Sequence, residues 1–175
     1  EFHDQIAVHY ETGEKIPQEL IRKLVDASNF NTGYFCCRQL SFGMLDMAWH
    51  TQNEPFEGDV IAFEKQAWAR TVIVPEVPGT FMSSSFGHIF SGGYAAGYYG
   101  YKWAEVLDAD AFSVFKATGI FNRETARSFR ENVLSKGGTE DPAILYKRFR
   151  GQEPTIDALL IRNGIKQTEP KANSN

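Results

Sequence analysis

Apolar positions recur along this chain at a spacing that suits helices, with clear polar breaks between them. Pro17 stands where a first helical turn would begin, and Leu20, Ile21, Leu24 and Val25 follow at core-facing spacing. SNFNTG (28–33) breaks that helix. A second is predicted from about Tyr34 to His50, with Leu40, Met44 and Met47 on one face, and TQNEPFEGD then reads as a loop. Val60, Ile61, Phe63, Ala67 and Trp68 mark a third helix. Helix resumes by about Tyr98, where Trp103, Val106, Leu107, Ala111, Val114 and Phe115 form a stripe that ends near Gly119. Asn122 is a suitable N-cap for a helix whose Ala126, Phe129 and Val133 share a face. Asp141-Pro142 is a cap followed by a first-turn proline, ahead of Ile144, Leu145 and Phe149. Pro154 opens the last helix and Asn163-Gly164 closes it. There is no internal repeat.

One stretch departs from this rhythm. TVIVPEVPGTFMSSSFGHIFSGG (71–93) holds two prolines, four glycines and three consecutive serines, with room for a minor extended piece at Val72 to Val74. A long irregular connection inside a compact domain is uncommon and often functional. The expected class is therefore all-α: a multi-helix domain carrying one long glycine- and tyrosine-rich loop.

Composition narrows the function classes. The chain's 175 residues, 42% hydrophobic and 23% charged, suffice for one ordinary domain with a real core. A net charge of −4 without any long basic run argues against a nucleic-acid partner. No apolar stretch approaches the roughly 20 residues of a spanning helix, so no membrane partner is expected. No signal-peptide pattern opens the chain. Cys36 and Cys37 are the only cysteines, and adjacent helix positions point about 100° apart. They suit small buried hydrophobes in a reducing compartment, which points to a cytoplasmic setting. The start, EFHDQIAVHYETGEKIP, lacks Met and reads as part-way along a helix, as in a fragment. The polar end, KQTEPKANSN (166–175), reads as a disordered tail.

Most catalytic patterns are missing. The histidines, at 3, 9, 50 and 88, make no His-Glu-x-x-His and no cluster of ligand spacing, so no metal site is expected from this chain alone. Ser85 precedes His88 by three residues, but there is no Gly-x-Ser-x-Gly elbow. Glu140 and Asp141 read as a helix cap rather than an acid/base pair, and SGG lacks the spacing of a phosphate loop.

What remains is FGHIFSGGYAAGYYGYKW (86–103). Four of the chain's seven tyrosines fall between 94 and 101, among glycines at 87, 92, 93, 97 and 100. If 94–101 were helical, Tyr94, Tyr98 and Tyr101 would share one face, beside a stripe of Gly93, Gly97 and Gly100. Glycine costs roughly 1 kcal/mol against Ala in a helix, so three suggest close backbone approach or a hinge. Spacing alone leaves a packing seam and a site equally open. Polarity favours a site: buried phenols need partners, and neutral donors converging on a loop are what an oxyanion requires.

The stretch FGHIFSGGYAAGYYGYKWAEVLDADAF resembles the C-terminal signature of the thimet oligopeptidase family of zinc metallopeptidases, nearest its bacterial peptidyl-dipeptidase (dipeptidyl carboxypeptidase) branch. HYETGEKIP, DASNFNTGY, LDMAWHT and SKGGTEDPAILYKRFRGQEP extend the likeness from about Ile6 to Ile165. The resemblance implies a mostly helical enzyme whose channel admits short peptides, with residues 1–165 as the C-terminal helical part of its catalytic domain. His88 and Tyr94 match residues that hydrogen-bond the developing oxyanion. Tyr101 matches a tyrosine that contacts the substrate backbone near the scissile bond, and Tyr98 a further substrate-facing one, which leaves Tyr99 to packing. Gly92 and Gly93 match a mobile loop that closes over bound peptide. The family's zinc ligands would precede Glu1, on the missing N-terminal part of the same protein. The chain alone is thus expected to be inactive, with no zinc of its own. Release of C-terminal dipeptides is the expected activity. An endo-acting oligopeptidase and a metal-free peptide-binding or scaffolding module are the alternatives.

Overall fold

The computed structural model describes residues 6–166. The polar tail expected to be disordered, beyond Lys166, and the chain's first five residues lie outside them. Among the described residues the protein is all-α, as expected. No strand forms, and Val72–Val74 stays unpaired; an isolated antiparallel bridge joins Val8 to Lys15. The helices are α1 (Gln18–Ser28), α2 (Thr32–His50), α3 (Val60–Trp68), α4 (Gly87–Phe90), α5 (Gly100–Thr118), α6 (Arg123–Phe129), α7 (Pro142–Arg150) and α8 (Asp157–Arg162), and α6 runs on into a π-helical turn, Arg130–Leu134.

Side-chain caps start the helices where the sequence placed them. The Asn122 amide oxygen accepts from the Glu124 and Thr125 N–H groups, both at 3.0 Å. The Asp141 carboxylate accepts from Ala143 N–H at 2.8 Å with Pro142 in the first turn. Asp59 caps α3 through Ile61 and Ala62. Each such cap satisfies N–H groups that the helix itself leaves unpaired and is worth about 1 kcal/mol. Glu140 is not part of the cap. It pairs with Arg148 at 2.8 Å, and that hydrogen bond holds its carboxyl below the usual range.

The predicted inward faces were less accurate. Leu20, Leu24 and Val25 of α1 are exposed. In α2 the buried positions are Ser41, Phe42, Leu45 and Asp46, while Leu40 and Met47 face outward. Trp103 is half exposed, and the buried positions of α5 are Val106, Ala109, Asp110 and Ala111. The last helix opens at Asp157, not Pro154. Cys36 and Cys37 are free and half-buried.

The chain divides into two compact units. Residues 31–104 form one, and the described residues of 1–30 and 105–175 the other. In the first, Phe42 and Leu45 of α2 pack with Phe86 and Ile89, and Trp49, Trp68, Met82 and Tyr98 close around them. The irregular stretch after α3 is tied down by polar groups rather than by secondary structure. The buried Glu64 carboxylate of α3 accepts from Met82 N–H (2.6 Å), Ser83 N–H (2.7 Å) and Ser83 Oγ (2.6 Å). Trp49 Nε1 donates to the same hydroxyl at 3.0 Å, and Ser41 and Thr71 share a hydroxyl–hydroxyl bond of 2.6 Å.

In the second unit, Val106 and Ala109 of α5 pack with Leu159 of α8. Asp110, 1% exposed, accepts from Tyr146 Oη (2.7 Å), Arg150 Nε (2.9 Å) and Thr155 Oγ1 (3.4 Å). Burial first, and then this carboxylate, push the Tyr146 phenol above its ordinary value. Both units thus bury carboxylates whose lone pairs are met by hydrogen-bond donors, as low-dielectric burial requires.

Candidate functional site

The tyrosine cluster is built by a turn, not by a helix face. The short helix α4 carries His88 and ends at Phe90. Residues 91–99 are turns and bends, and α5 begins at Gly100. Tyr94 and Tyr98 therefore lie before the helix, and the stripe of Gly93, Gly97 and Gly100 does not exist as one face. The chain reverses instead. Tyr94 N–H donates back to the His88 carbonyl at 3.1 Å, and Gly97 N–H to the Tyr94 carbonyl at 2.8 Å. The two glycines before Tyr94 have separate reasons. Gly93 sits at φ 80°, in the left-handed region that side chains disfavour. A Cβ on Gly92 would lie 2.9 Å from the His88 carbonyl oxygen and 3.0 Å from His88 Cα, so no larger residue fits without moving the backbone.

This reversal brings the expected residues together. The His88 ring centroid lies 5.9 Å from that of Tyr94 and 6.0 Å from that of Tyr98. Tyr94 stacks on Tyr101 at 5.3 Å with 17° between ring planes, and Tyr98 meets Tyr101 at 5.0 Å. His88, Tyr94 and Tyr101 are exposed. Tyr98 is half-buried and stands edge-on to Phe42 (5.8 Å) and Phe86 (5.1 Å) of the core. It is thus both packing and cluster, the ring on which the exposed ones lean. Tyr99 is 60% exposed, so its ring is not packed as expected.

A hydrogen bond with Tyr94 is the foremost influence on Tyr101, followed by burial and by the neighbouring phenols Tyr94 and Tyr98. All push its hydroxyl above the ordinary phenol value. The protonated form of Tyr101 is thereby the favoured one. Ser85 does not join the cluster; its hydroxyl donates to the Met82 carbonyl at 3.1 Å.

The pattern of apolar positions hid one residue. Asp46 of α2 is wholly buried, and its carboxylate accepts from Ala96 N–H (2.9 Å) and Tyr98 N–H (2.8 Å), with His50 Nδ1 lying 2.8 Å from Oδ1. It lies 50 residues from Ala96 in sequence and anchors the tyrosine turn from beneath. The available signal was its setting in LDMAWH, an acid amid apolar residues with a histidine one helical turn on.

The same unit has a separate hollow of about 380 Å³, lined by residues that include Tyr34, Arg38, Trp68, Glu76 and Phe81 but none of the four ring residues. Among the described residues, no three His, Cys, Asp or Glu side chains gather as a metal site. The described residues therefore offer zinc no ligand set. Among the same residues no helix is long and apolar enough to cross a membrane.

Comparison with known proteins bears on these residues as a whole. The family described as Peptidase family M3 matches residues 1–165. Oligopeptidase A of Escherichia coli (strain K12) is 49% identical over 162 residues, 92% of this chain and 24% of that protein. Dipeptidyl carboxypeptidase of the same strain is 43% identical over 162 residues, 91% of this chain and 24% of its own length. Saccharolysin of Saccharomyces cerevisiae (strain ATCC 204508 / S288c) is 37% identical over 163 residues, 92% of this chain and 23% of that protein. The chain thus spans about a quarter of the length of the curated relatives it matches.

Proposed function

We propose, from the premise that this chain belongs to peptidase family M3, that it supplies the oxyanion-stabilising and substrate-binding residues of a metallopeptidase acting on short peptides. The complete protein would release C-terminal dipeptides. The observation that carries this reading is the His88–Tyr94–Tyr98–Tyr101 cluster, three of whose rings are exposed.

Hydrolysis of a peptide bond places negative charge on the carbonyl oxygen as water adds. Donors already aimed at that position stabilise the transition state without reorganising. In this reading Tyr94 is the principal donor, and His88 is the second. A phenol stays protonated at neutral pH and donates without being consumed. Tyr101 and Tyr98 contact the substrate backbone, and Gly92 and Gly93 permit the loop to close over it and exclude water. The described residues offer zinc no ligand set, so none of these roles is routed through the metal. Its ligands would come from residues this chain does not supply, and the chain alone would neither bind zinc tightly nor cleave peptide. A cytoplasmic setting belongs to the same proposal, as does the absence of nucleic-acid and membrane partners.

The test is Tyr94→Phe in the complete protein. It is expected to lower kcat by roughly 10²-fold, the scale of one lost oxyanion donor; a wild-type kcat refutes the role. A second reading, an endo-acting oligopeptidase, is favoured by the higher identity to Oligopeptidase A than to Dipeptidyl carboxypeptidase, 49% against 43%. Paired peptides with free and amidated C-termini separate the two. Cleavage that requires the free carboxylate supports dipeptide release; equal cleavage of both supports endo action. Membership of a peptidase family supports either over a metal-free module.

A further inference from the structure

We propose that Asp46 is a positioning residue for the tyrosine cluster, acting through the backbone of the turn rather than through any ring. The inference rests on the oxyanion reading given above. Two donors converge on one wholly buried carboxylate, the N–H groups of Ala96 and Tyr98, which flank Gly97, and His50 Nδ1 lies 2.8 Å from its Oδ1. His50 Nδ1 also lies 2.9 Å from the Asp46 carbonyl oxygen, so both of its neighbours are acceptors and Nδ1 carries the proton. No arginine or lysine takes part in these bonds. The anion is balanced chiefly by two oriented amides of the loop itself, an arrangement that binds anions well.

That geometry has a cost which the carboxylate helps to offset. Ala96 sits at φ 52°, a left-handed conformation unfavourable for any residue with a Cβ. In that conformation its N–H, and that of Tyr98 two residues on, both point into α2. Without the acceptor both amides lose their partner and the left-handed Ala96 loses its main support. The turn that stacks Tyr94 on Tyr101 would then relax. Tyr98 would keep its core contacts to Phe42 and Phe86. Tyr94, whose place depends on this turn as well as on its contacts with His88 and Tyr101, would shift.

Asn at position 46 retains the shape but turns one acceptor oxygen into a donor facing an N–H. In the complete protein, Asp46→Asn is expected to lower kcat about tenfold or more while KM moves less than about threefold, as for an interaction made in the transition state. Combination with Tyr94→Phe separates positioning from general damage. If Asp46 acts by placing Tyr94, the double variant stays within about threefold of the roughly 100-fold loss from Tyr94→Phe alone, because coupled sites are not additive. Independent losses would multiply to about 1,000-fold, and that result, or an Asp46→Asn enzyme with wild-type kcat, overturns the proposal. Tyr94→Phe with wild-type kcat instead overturns the oxyanion reading on which it rests. Should Asp46→Asn fail to fold, His50→Gln removes the ring nitrogen beside Oδ1 and leaves the carboxylate on its two amides. It is expected to lower kcat about threefold in the wild type and not at all in the Tyr94→Phe background, and an unchanged kcat in the wild type overturns the proposal.

Discussion

Glu64→Gln tests whether buried carboxylates hold the irregular segment in place. The wild-type side chain is 2% exposed and receives three donors at 2.6–2.7 Å, one on Oε1 and two on Oε2. Gln keeps a single acceptor oxygen. Turned toward Ser83, that oxygen retains two donors, and the new NH₂ faces Met82 N–H at 2.6 Å, donor against donor. The lost bond to a charged acceptor is worth about 1.5–3 kcal/mol. The two that survive fall from charge-assisted to neutral, roughly halving each. Relief of the charge's burial offsets part of this. The net expectation is a destabilisation of about 2 kcal/mol, within the range for an orphaned buried donor. The chain's three tryptophans, Trp49, Trp68 and Trp103, all lie in the unit of residues 31–104. Denaturant unfolding followed by tryptophan fluorescence therefore reports the unit that contains Glu64. Trp49 bonds to the Ser83 hydroxyl that Glu64 also holds, so its emission reads the perturbed spot directly. A midpoint shift equivalent to less than about 0.5 kcal/mol would show that these bonds exchange freely with water and would refute the reasoning.

Two further outcomes follow from the geometry. Gly92→Ala forces a Cβ to 2.9 Å from the His88 backbone, so kcat of the complete protein should fall at least about tenfold with little change in KM; unaltered kinetics would mean the reversal at His88 is not needed for activity. Tyr146 ionises above the ordinary phenol value of about 10 in the folded chain, so its contribution to stability is fully present below that pH and is lost as pH rises beyond it. Alkaline titration of tyrosinate absorbance should show a late component that disappears in Tyr146→Phe, and the variant's stability should depend less on pH in that range. Identical titrations for the two proteins would refute the assignment.

The sequence was legible where local chemistry decides. Asn122, Asp141 with Pro142, and the stop before Gly119 act through groups a few residues away, so their positions could be read directly. Periodicity located α1, α2 and α5 but not their buried faces. A stripe of Leu20, Leu24 and Val25 states that apolar area exists, not that anything described here covers it. The buried face of α2 went unseen because two of its members, Ser41 and Asp46, are polar and score as outward. The membership of the cluster around His88 was read from a long resemblance. Its construction was not, since a helix over 94–101 would also have gathered the tyrosines, and only the backbone shows that a left-handed turn does so.

Asp46 and Glu64 grip this segment at both ends, and apart from the Ser83 hydroxyl they grip main-chain N–H groups. Those groups are common to every residue except proline. The side chains of Met82 and Ala96 are therefore not what the anchors recognise, and substitution there leaves each carboxylate its donors. The segment is a fixture with interchangeable facings. An engineer could recompose such positions, leaving Gly92, Gly93 and the four rings as they are, while the two acids that set its course stay untouched. A change to either acid would unseat every facing at once.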